Sequence, residues 1–241
     1  MKALGLDPSL LSYGWAIYDS TLKGKRKLIA SGHEGTLRSI VPVARYIHFR
    51  SLVADLLRRH RVDLVGLESP AYGGGEYSER HFGLMMFSLE AIFEKRKDCV
   101  LFDPATVKFL TGKGSADKQD IQRFVQLDQM NPDPMQSDEA DAYCVAKFTA
   151  RFMELRNGLI QPDDLTDNEK QVFLKRRRKI QSLLGAKVTK KTAMIFRENN
   201  RFFQFSKIPK GNIKLPNKDQ IHPDIAQWLE NTEIVESIMQ R

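Results

Sequence analysis

The chain has 241 residues, a net charge of +8 and 41% hydrophobic residues, which is enough for one complete core and a smaller appended part. No apolar run approaches the roughly 20 residues of a membrane span, and the N-terminus has no signal-peptide pattern, so we expect a soluble, cytoplasmic protein. Cys99 and Cys144 lie in apolar stretches without C-x-x-C spacing. This argues against a zinc site or a disulfide framework and indicates reduced core residues.

The positive charge is concentrated in the C-terminal part. Residues 151–241 hold 18 Lys and Arg against 11 Asp and Glu, a net charge of +7, whereas residues 1–150 carry +1. A basic segment of this kind predicts a polyanionic partner, and a solvated basic face is the alternative. We therefore predict an α/β domain over residues 1–156 and a basic α+β extension over residues 157–241.

The first half of the chain predicts a mixed sheet. Three short strands, at residues 2–7, 13–19 and 27–32, are joined by short turns and predict an antiparallel meander. An amphipathic helix ending near His60 leads into a strand over residues 62–68. A strand, a helix and a strand at this spacing predict a crossover, and therefore a parallel pairing beside the meander.

A glycine-rich loop and an unusually apolar helix come next. The loop, residues 69–76, contains three consecutive glycines between Tyr72 and Tyr77. The helix, predicted over residues 78–95, is apolar on more than one face. One stripe can pack on the sheet and the surplus can meet a partner subunit, although burial between two layers of one chain would explain the same pattern.

The remaining elements are predicted from apolar periodicity and caps. A strand at residues 100–102 precedes a short helix from Pro104, a helix from about Lys118, and a long helix for which Ser137 is a candidate N-cap. In the extension we predict a helix over residues 167–184, a hairpin of residues 192–197 with 201–205, and a final helix.

Four carboxylates stand where this fold would bring them together. Asp7 and Glu68 each end an apolar strand, and Asp138 and Asp141 are one turn apart at the start of the long helix. Clustered carboxylates repel one another unless a cation neutralises them, and all-oxygen ligands favour Mg²⁺ or Mn²⁺. Two such ions would support phosphodiester hydrolysis. Singly, Asp7 or Glu68 could be a turn residue, and Asp138 with Glu139 could complement the helix dipole.

These residues lie in motifs that resemble those of RuvC-type Holliday junction resolvases. The motifs are Gly5-Leu6-Asp7-Pro8-Ser9, Gly66-Leu67-Glu68-Ser69-Pro70, Gly112-Lys113-Gly114-Ser115-Ala116-Asp117-Lys118 and Ser137-Asp138-Glu139-Ala140-Asp141-Ala142. The resemblance covers residues 1–152 and implies an RNase H-like fold, a homodimer through the apolar helix, and paired nicking of four-way DNA junctions with two Mg²⁺ or Mn²⁺ ions.

The resemblance also implies roles for individual residues. Asp7, Glu68, Asp138 and Asp141 become metal ligands, Lys118 becomes a catalytic cation, and Lys108 becomes a second basic residue near the site. Candidate DNA contacts are Tyr72, Gly73, Gly74, Tyr77, Arg80, Lys108 and Lys113. Either Tyr72 or Tyr77 could stack on an exposed base, and both could be ordinary surface tyrosines. The positive charge of the extension adds the basic run Lys175, Arg176, Arg177, Arg178 and Lys179 as further candidate contacts. The basic run could instead be a localisation signal or a solvated helix face.

We therefore predict a junction-resolving DNA endonuclease. An RNase H-like nuclease acting on forks, flaps or RNA–DNA hybrids, and a junction-binding protein that does not cut, are the alternatives. The extension has no counterpart in the bacterial resolvases, which suggests a divergent viral or phage-encoded member. Whether the protein needs a helicase or a packaging protein as a partner stays open at this point.

Overall fold

A computed structural model describes residues 1–9, 12–36, 41–69, 76–131, 133, 135–175 and 202–205. Its centre is a mixed sheet with strand order β3-β2-β1-β4-β5-β6. The strands are β1 (Lys2–Asp7), β2 (Ser12–Asp19), β3 (Leu28–Gly35), β4 (Leu64–Glu68), β5 (Asp98–Phe102) and β6 (Phe202–Phe205). The predicted meander is present, because β2 pairs antiparallel with both β1 and β3. The predicted crossover is also present, because β4 pairs in parallel with β1 and β5.

Helices cover both faces of the sheet, so the central strands are apolar on both sides. The helices are α1 (Pro42–His60), α2 (Glu76–Glu94), α3 (Pro104–Leu110), α4 (Lys118–Gln129) and α5 (Ser137–Arg156). Leu4 and Leu6 of β1 pack with residues of α1 and α2 in one core cluster. Ala3 lies in the second cluster, with residues of α3, α4 and α5. This alternation is the period of two expected along a strand.

Two local predictions need correction. Ser137 does not cap α5: Gln136 occupies the N-cap position without a side-chain bond, and Ser137 is already the first helical residue. An N-cap side chain reaches the next amides only from a non-helical backbone, so Ser137 is one residue too late for this role. Helix α2 begins at Glu76, which places Tyr77 in its first turn instead of the preceding loop.

The residues just after position 156 pack on the α5 side of the sheet. Leu165, Val172 and Phe173 are buried in the same core cluster as α5. The predicted helix start at Asp167 is confirmed, and Thr166 is its N-cap. This helix, α6 (Asp167–Glu169), continues as a π-helical turn over Lys170–Lys175. The predicted domain boundary at residue 156 stays a prediction.

The last described segment of the extension is a strand of the central sheet. Phe202–Phe205 pairs in parallel with β5, so that Phe205 lies opposite Phe102. The first strand of the predicted hairpin, residues 192–197, and the predicted final helix lie outside the described residues. Both cysteines are free and buried, as predicted. In the part of the chain that the structure describes, no helix combines the length and the hydropathy of a membrane span.

Candidate active site

Three glycines let α5 lie directly against the sheet beneath it. A Cβ on Gly5 would come within 2.0 Å of the Ala142 carbonyl oxygen, and one on Gly66 within 2.1 Å of the Thr149 hydroxyl. A Cβ on Gly14 would lie 2.1 Å from the Asp138 carbonyl oxygen. Any side chain at these positions would lift the helix away. The glycines therefore determine how close the acidic first turns of α5 come to the strand ends.

The parallel pairing of β1 and β4 brings two of the predicted acids to one edge. Leu6 of β1 pairs with Leu67 of β4. Asp7 is the next residue of β1, and Glu68 is the next residue of β4. Both acids therefore follow their strands to the same carboxyl edge of the sheet. Asp138 and Asp141, one turn apart on α5, complete a set of four acids from three elements.

The four acids line one cavity of about 480 Å³. Two predicted basic residues, Lys108 and Lys118, line it as well. The structure therefore places together the five predicted catalytic residues and one predicted DNA contact. Other residues of the lining include Ser9, Ser69, His81 and Pro104.

The acids perturb one another strongly. The pKa of Asp7 is raised to about 8, first because the surrounding protein removes water from its carboxyl, and then because Asp141 and Asp138 repel its charge. Desolvation, followed by the charges of Asp7 and Asp141, raises the pKa of Glu68. Desolvation also raises the pKa of Asp141 to about 6, although the charge of Lys118 opposes this shift. The cavity thus disfavours the full negative charge that its residues would carry in water.

This donor set fits divalent cations of the Mg²⁺ type. The four carboxylates offer only oxygen ligands, and a bound cation would relieve the repulsion that, after desolvation, raises the pKa values of Asp7 and Glu68. Within the described residues, no group of three or more His, Cys, Asp or Glu side chains is arranged closely enough to hold a metal ion. The carboxylates share the cavity, and we expect their side chains to draw together around an ion.

The predicted basic residues occupy different places. Lys118 is the first residue of α4, and its ammonium lies 3.9 Å from Asp138 Oδ1 while its side chain remains 74% exposed. Its ion pair with Asp138 is long, and most of the side chain faces solvent. Lys113 is not in the lining of the cavity; its ammonium pairs with Asp120 Oδ2 at 2.8 Å. Its role as a DNA contact stays a prediction.

Glu139 has a specific anchoring role that the sequence did not indicate. Its carboxylate accepts a hydrogen bond from the Ser31 hydroxyl at 2.7 Å and lies 3.1 Å from His33 Nδ1. Both partners are on β3, so they tie the first turn of α5 to the meander. Asp138, the adjacent residue, is thereby held in place.

His81 and Ser69 were missed as members of the cavity. Ser69 directly follows Glu68, and His81 lies on the second turn of α2. The position of Ser69 beside a candidate ligand was a usable signal. For His81 there was none, because no local sequence pattern links α2 to the four acids.

The other predicted DNA contacts are only partly described. Arg80 is a partly exposed residue of α2. For Tyr77 and Lys175 the structure gives the backbone alone, in α2 and in the π-helical turn. Tyr72, Gly73, Gly74 and the residues from Arg176 to Lys179 lie outside the described residues. Their roles stay predictions.

Comparison with known proteins tests the family resemblance of the chain. No protein-family model matches the chain. It is 26% identical over 149 residues to the crossover junction endodeoxyribonuclease RuvC of Caldicellulosiruptor saccharolyticus, covering 61% of this chain and 90% of that protein. It is also 26% identical over 151 residues to the protein of that name from Prochlorococcus marinus, covering 61% and 96%. The resemblance to RuvC-type resolvases is confirmed.

Solved structures confirm the RNase H-like fold of the RuvC type. The Thermus thermophilus RuvC structure superimposes with a TM-score of 0.54 at 24% identity, covering 64% of this chain and 97% of that one. T. thermophilus RuvC in complex with a Holliday junction substrate gives a TM-score of 0.53 at 22% identity, covering 63% and 96%. The RuvC-like part therefore spans nearly the whole of these proteins but under two thirds of this chain.

Proposed function

We propose that this chain is a metal-dependent DNA endonuclease that resolves four-way junctions by paired phosphodiester hydrolysis. The observation that carries the proposal is a cavity lined by Asp7, Glu68, Asp138, Asp141 and Lys118 together. Its members come from four separate elements of a RuvC-like fold. The similarity to proteins named crossover junction endodeoxyribonuclease supports the reaction and the substrate class.

In this proposal the four carboxylates hold Mg²⁺ or Mn²⁺. Bound ions of this type activate a water and stabilise the leaving oxygen of a phosphodiester. Asp7 is central among the ligands, because it interacts electrostatically with Glu68, Asp138 and Asp141. Its pKa is raised, so a nearby cation would favour its ionised form.

The basic residues orient the DNA backbone. Lys118 extends from the first turn of α4, and Lys108 lines the cavity from α3. Both place a positive charge beside the carboxylates, where a phosphate must enter against their negative field. An ammonium at this position offsets the charge that develops on the phosphate during hydrolysis. The products would be a 5′-phosphate and a 3′-hydroxyl.

A second copy of the chain would supply the second cut. On α2, Phe82 is 50% and Met86 is 47% exposed, and on α1 the apolar residues Val43 and Ile47 are also exposed. Helices α1 and α2 pack against each other, joined by the Arg50 pairs with Glu90 and Glu94. An apolar surface on paired helices favours a two-fold homodimer. Such a dimer would present two sites to opposed strands of a junction.

A cleavage assay tests the proposed activity. A labelled four-way junction, a fork, a linear duplex and an RNA–DNA hybrid are incubated with Mg²⁺ and the wild-type chain, Asp7→Asn or Asp133→Asn. Asp133 is an exposed acid outside the cavity, which makes it a matched control. We expect paired nicks in the junction from the wild type and from Asp133→Asn, and none from Asp7→Asn.

Other results would redirect the proposal. Cleavage of the hybrid or the fork without the junction would keep the nuclease and reject its substrate. Junction binding without any cutting, in both Mg²⁺ and Mn²⁺, would favour an architectural protein. Cutting by Asp7→Asn at the wild-type rate would remove Asp7 from the metal site.

The dimer has its own test. Phe82→Glu places a charge within the apolar surface of α2, and Leu127→Glu makes the same change at an exposed apolar residue of α4. By sedimentation velocity, we expect Phe82→Glu to be monomeric and Leu127→Glu to match the wild type. Monomeric wild type at micromolar concentration in the presence of a junction would contradict the proposed dimer.

A further inference from the structure

The hydroxyl of Ser69 is an unsatisfied polar group in the wall of the cavity. Ser69 is 2% exposed, and its Oγ has no hydrogen-bond partner among the described residues. Its backbone amide donates to the Phe102 carbonyl oxygen at 2.7 Å, which fixes the residue at the carboxyl edge where β4 and β5 end. A buried hydroxyl without a partner lowers the stability of the folded chain. Such a group calls for a physical explanation.

The surroundings of Ser69 identify what can satisfy it. The residue directly follows Glu68 and lines the same cavity as Asp7 and Lys118. A serine hydroxyl can donate one hydrogen bond, and its single χ1 bond moves between staggered rotamers. The nearby carboxylates are the candidate cation ligands. The complementary acceptor is therefore an oxygen that enters the cavity with the substrate.

We propose that Ser69 is a substrate-contacting residue whose hydroxyl donates a hydrogen bond to a non-bridging oxygen of the DNA phosphate in the cavity. This inference rests on the proposed function, since it needs a phosphodiester beside the four acids. The bond replaces an unsatisfied group in the free protein with a charge-assisted contact in the complex. Ser69 thus contributes to substrate affinity, and no hydrogen bond to another described residue has to break first.

The chain provides a matched control for this proposal. Ser137 Oγ is also buried without a partner among the described residues, yet Ser137 is not in the lining of the cavity. Replacing either serine by alanine removes an unsatisfied hydroxyl and no hydrogen bond. Neither variant should therefore lower the melting temperature.

The experiment compares Ser69→Ala with Ser137→Ala in three measurements. The first is kcat/KM on the substrate that the wild type cuts. The second is affinity for the same DNA, measured in an Asp7→Asn background that cannot cut it. The third is Mn²⁺ affinity of the Asp7-containing proteins without DNA, followed by electron paramagnetic resonance. We expect kcat/KM and DNA affinity to fall by about ten- to a hundredfold in Ser69→Ala and to stay unchanged in Ser137→Ala. This is the loss expected for one hydrogen bond to a charged group. Mn²⁺ affinity should be unchanged in both variants.

Three results would overturn the inference while leaving the proposed function intact. Equal kcat/KM for the two variants and an active wild type would show that Ser69 makes no substrate contact. A parallel fall in Mn²⁺ affinity of Ser69→Ala would assign the hydroxyl to the shell of the cation. A lowered melting temperature of Ser69→Ala alone would mean that the hydroxyl is bonded in the free protein. Absence of cleavage by the wild type would instead refute the proposed function.

Discussion

The raised pKa of Asp7 predicts that Asp7→Asn stabilises the metal-free protein, and increasingly so as pH rises. In the unfolded chain the carboxyl ionises near its ordinary pKa of 3.8, whereas in the folded chain it holds its proton up to about pH 8. Between these values the unfolded state binds fewer protons than the folded state, so stability falls as pH rises. Below pH 3.8 Asp7 is protonated in both the folded and the unfolded state, so it does not affect the free energy of unfolding. Above about pH 8 it is ionised in both states, and its destabilising effect has reached its full size.

The size of the effect follows from the same values. Each pH unit within this window changes the free energy of unfolding by about 1.4 kcal/mol for one group. From pH 5 to pH 7, Asp7 therefore destabilises the wild type by about 2–3 kcal/mol, and asparagine removes this loss.

Urea unfolding in EDTA, followed by circular dichroism at pH 5, 6 and 7, measures the difference. The gain in stability of Asp7→Asn over wild type should grow across this series, while Asp133→Asn should follow the wild type throughout. Mg²⁺ added at pH 7 should stabilise the wild type more than Asp7→Asn, because ligand binding to the folded state adds to its stability. A gain that stays constant with pH would refute the electrostatic account of the cavity.

Three further changes test the architecture around the site. Gly14→Ala should lower the free energy of unfolding by about 1–3 kcal/mol and the cleavage rate at least tenfold, because its Cβ would meet the Asp138 carbonyl. Gly114→Ala is the control: the nearest atom to its Cβ would be 4.0 Å away, so neither quantity should change. Asn168→Ala should lower the free energy of unfolding by about 1 kcal/mol in urea titrations, because its amide donates to two carbonyls at the end of α3. Replacing residues 176–179 by glutamine should reduce the slope of log affinity against log salt by up to about 3–4 in a junction-binding titration, and an unchanged slope would remove these residues from the DNA interface.

The elements that carry the acids could be predicted because their signals are local. Asp7 and Glu68 each end an apolar run followed within two residues by proline, and the spacing of Asp138 and Asp141 puts them on one helical face. A strand, a crossover helix and a strand favour a parallel pairing, which brings the two strand ends to one edge of the sheet. The meeting of Asp7 and Glu68 followed from these rules, whereas the addition of Asp138 and Asp141 to the same site rested on the family resemblance.

Other features depend on long-range contacts that leave no periodic signal. The close approach of α5 requires glycines on three strands, and their purpose is visible only when the helix lies over them. The bonds from Ser31 and His33 to Glu139 join residues more than 100 positions apart. Likewise, the parallel pairing of Phe202–Phe205 with β5 could not be distinguished from a local hairpin, since a short aromatic strand suits either.

The described part of the extension changes how the basic segment should be tested. Removing everything from residue 157 would delete Leu165, Val172 and Phe173 from the core, and would leave Arg151 without Glu169, which is 3% exposed. Loss of a buried ion partner is strongly destabilising, so reduced DNA binding by such a truncation would report misfolding as readily as lost phosphate contacts. Charge substitution within residues 176–179 keeps these packing residues and the sixth strand. It therefore separates the electrostatic contribution of the extension from its structural one.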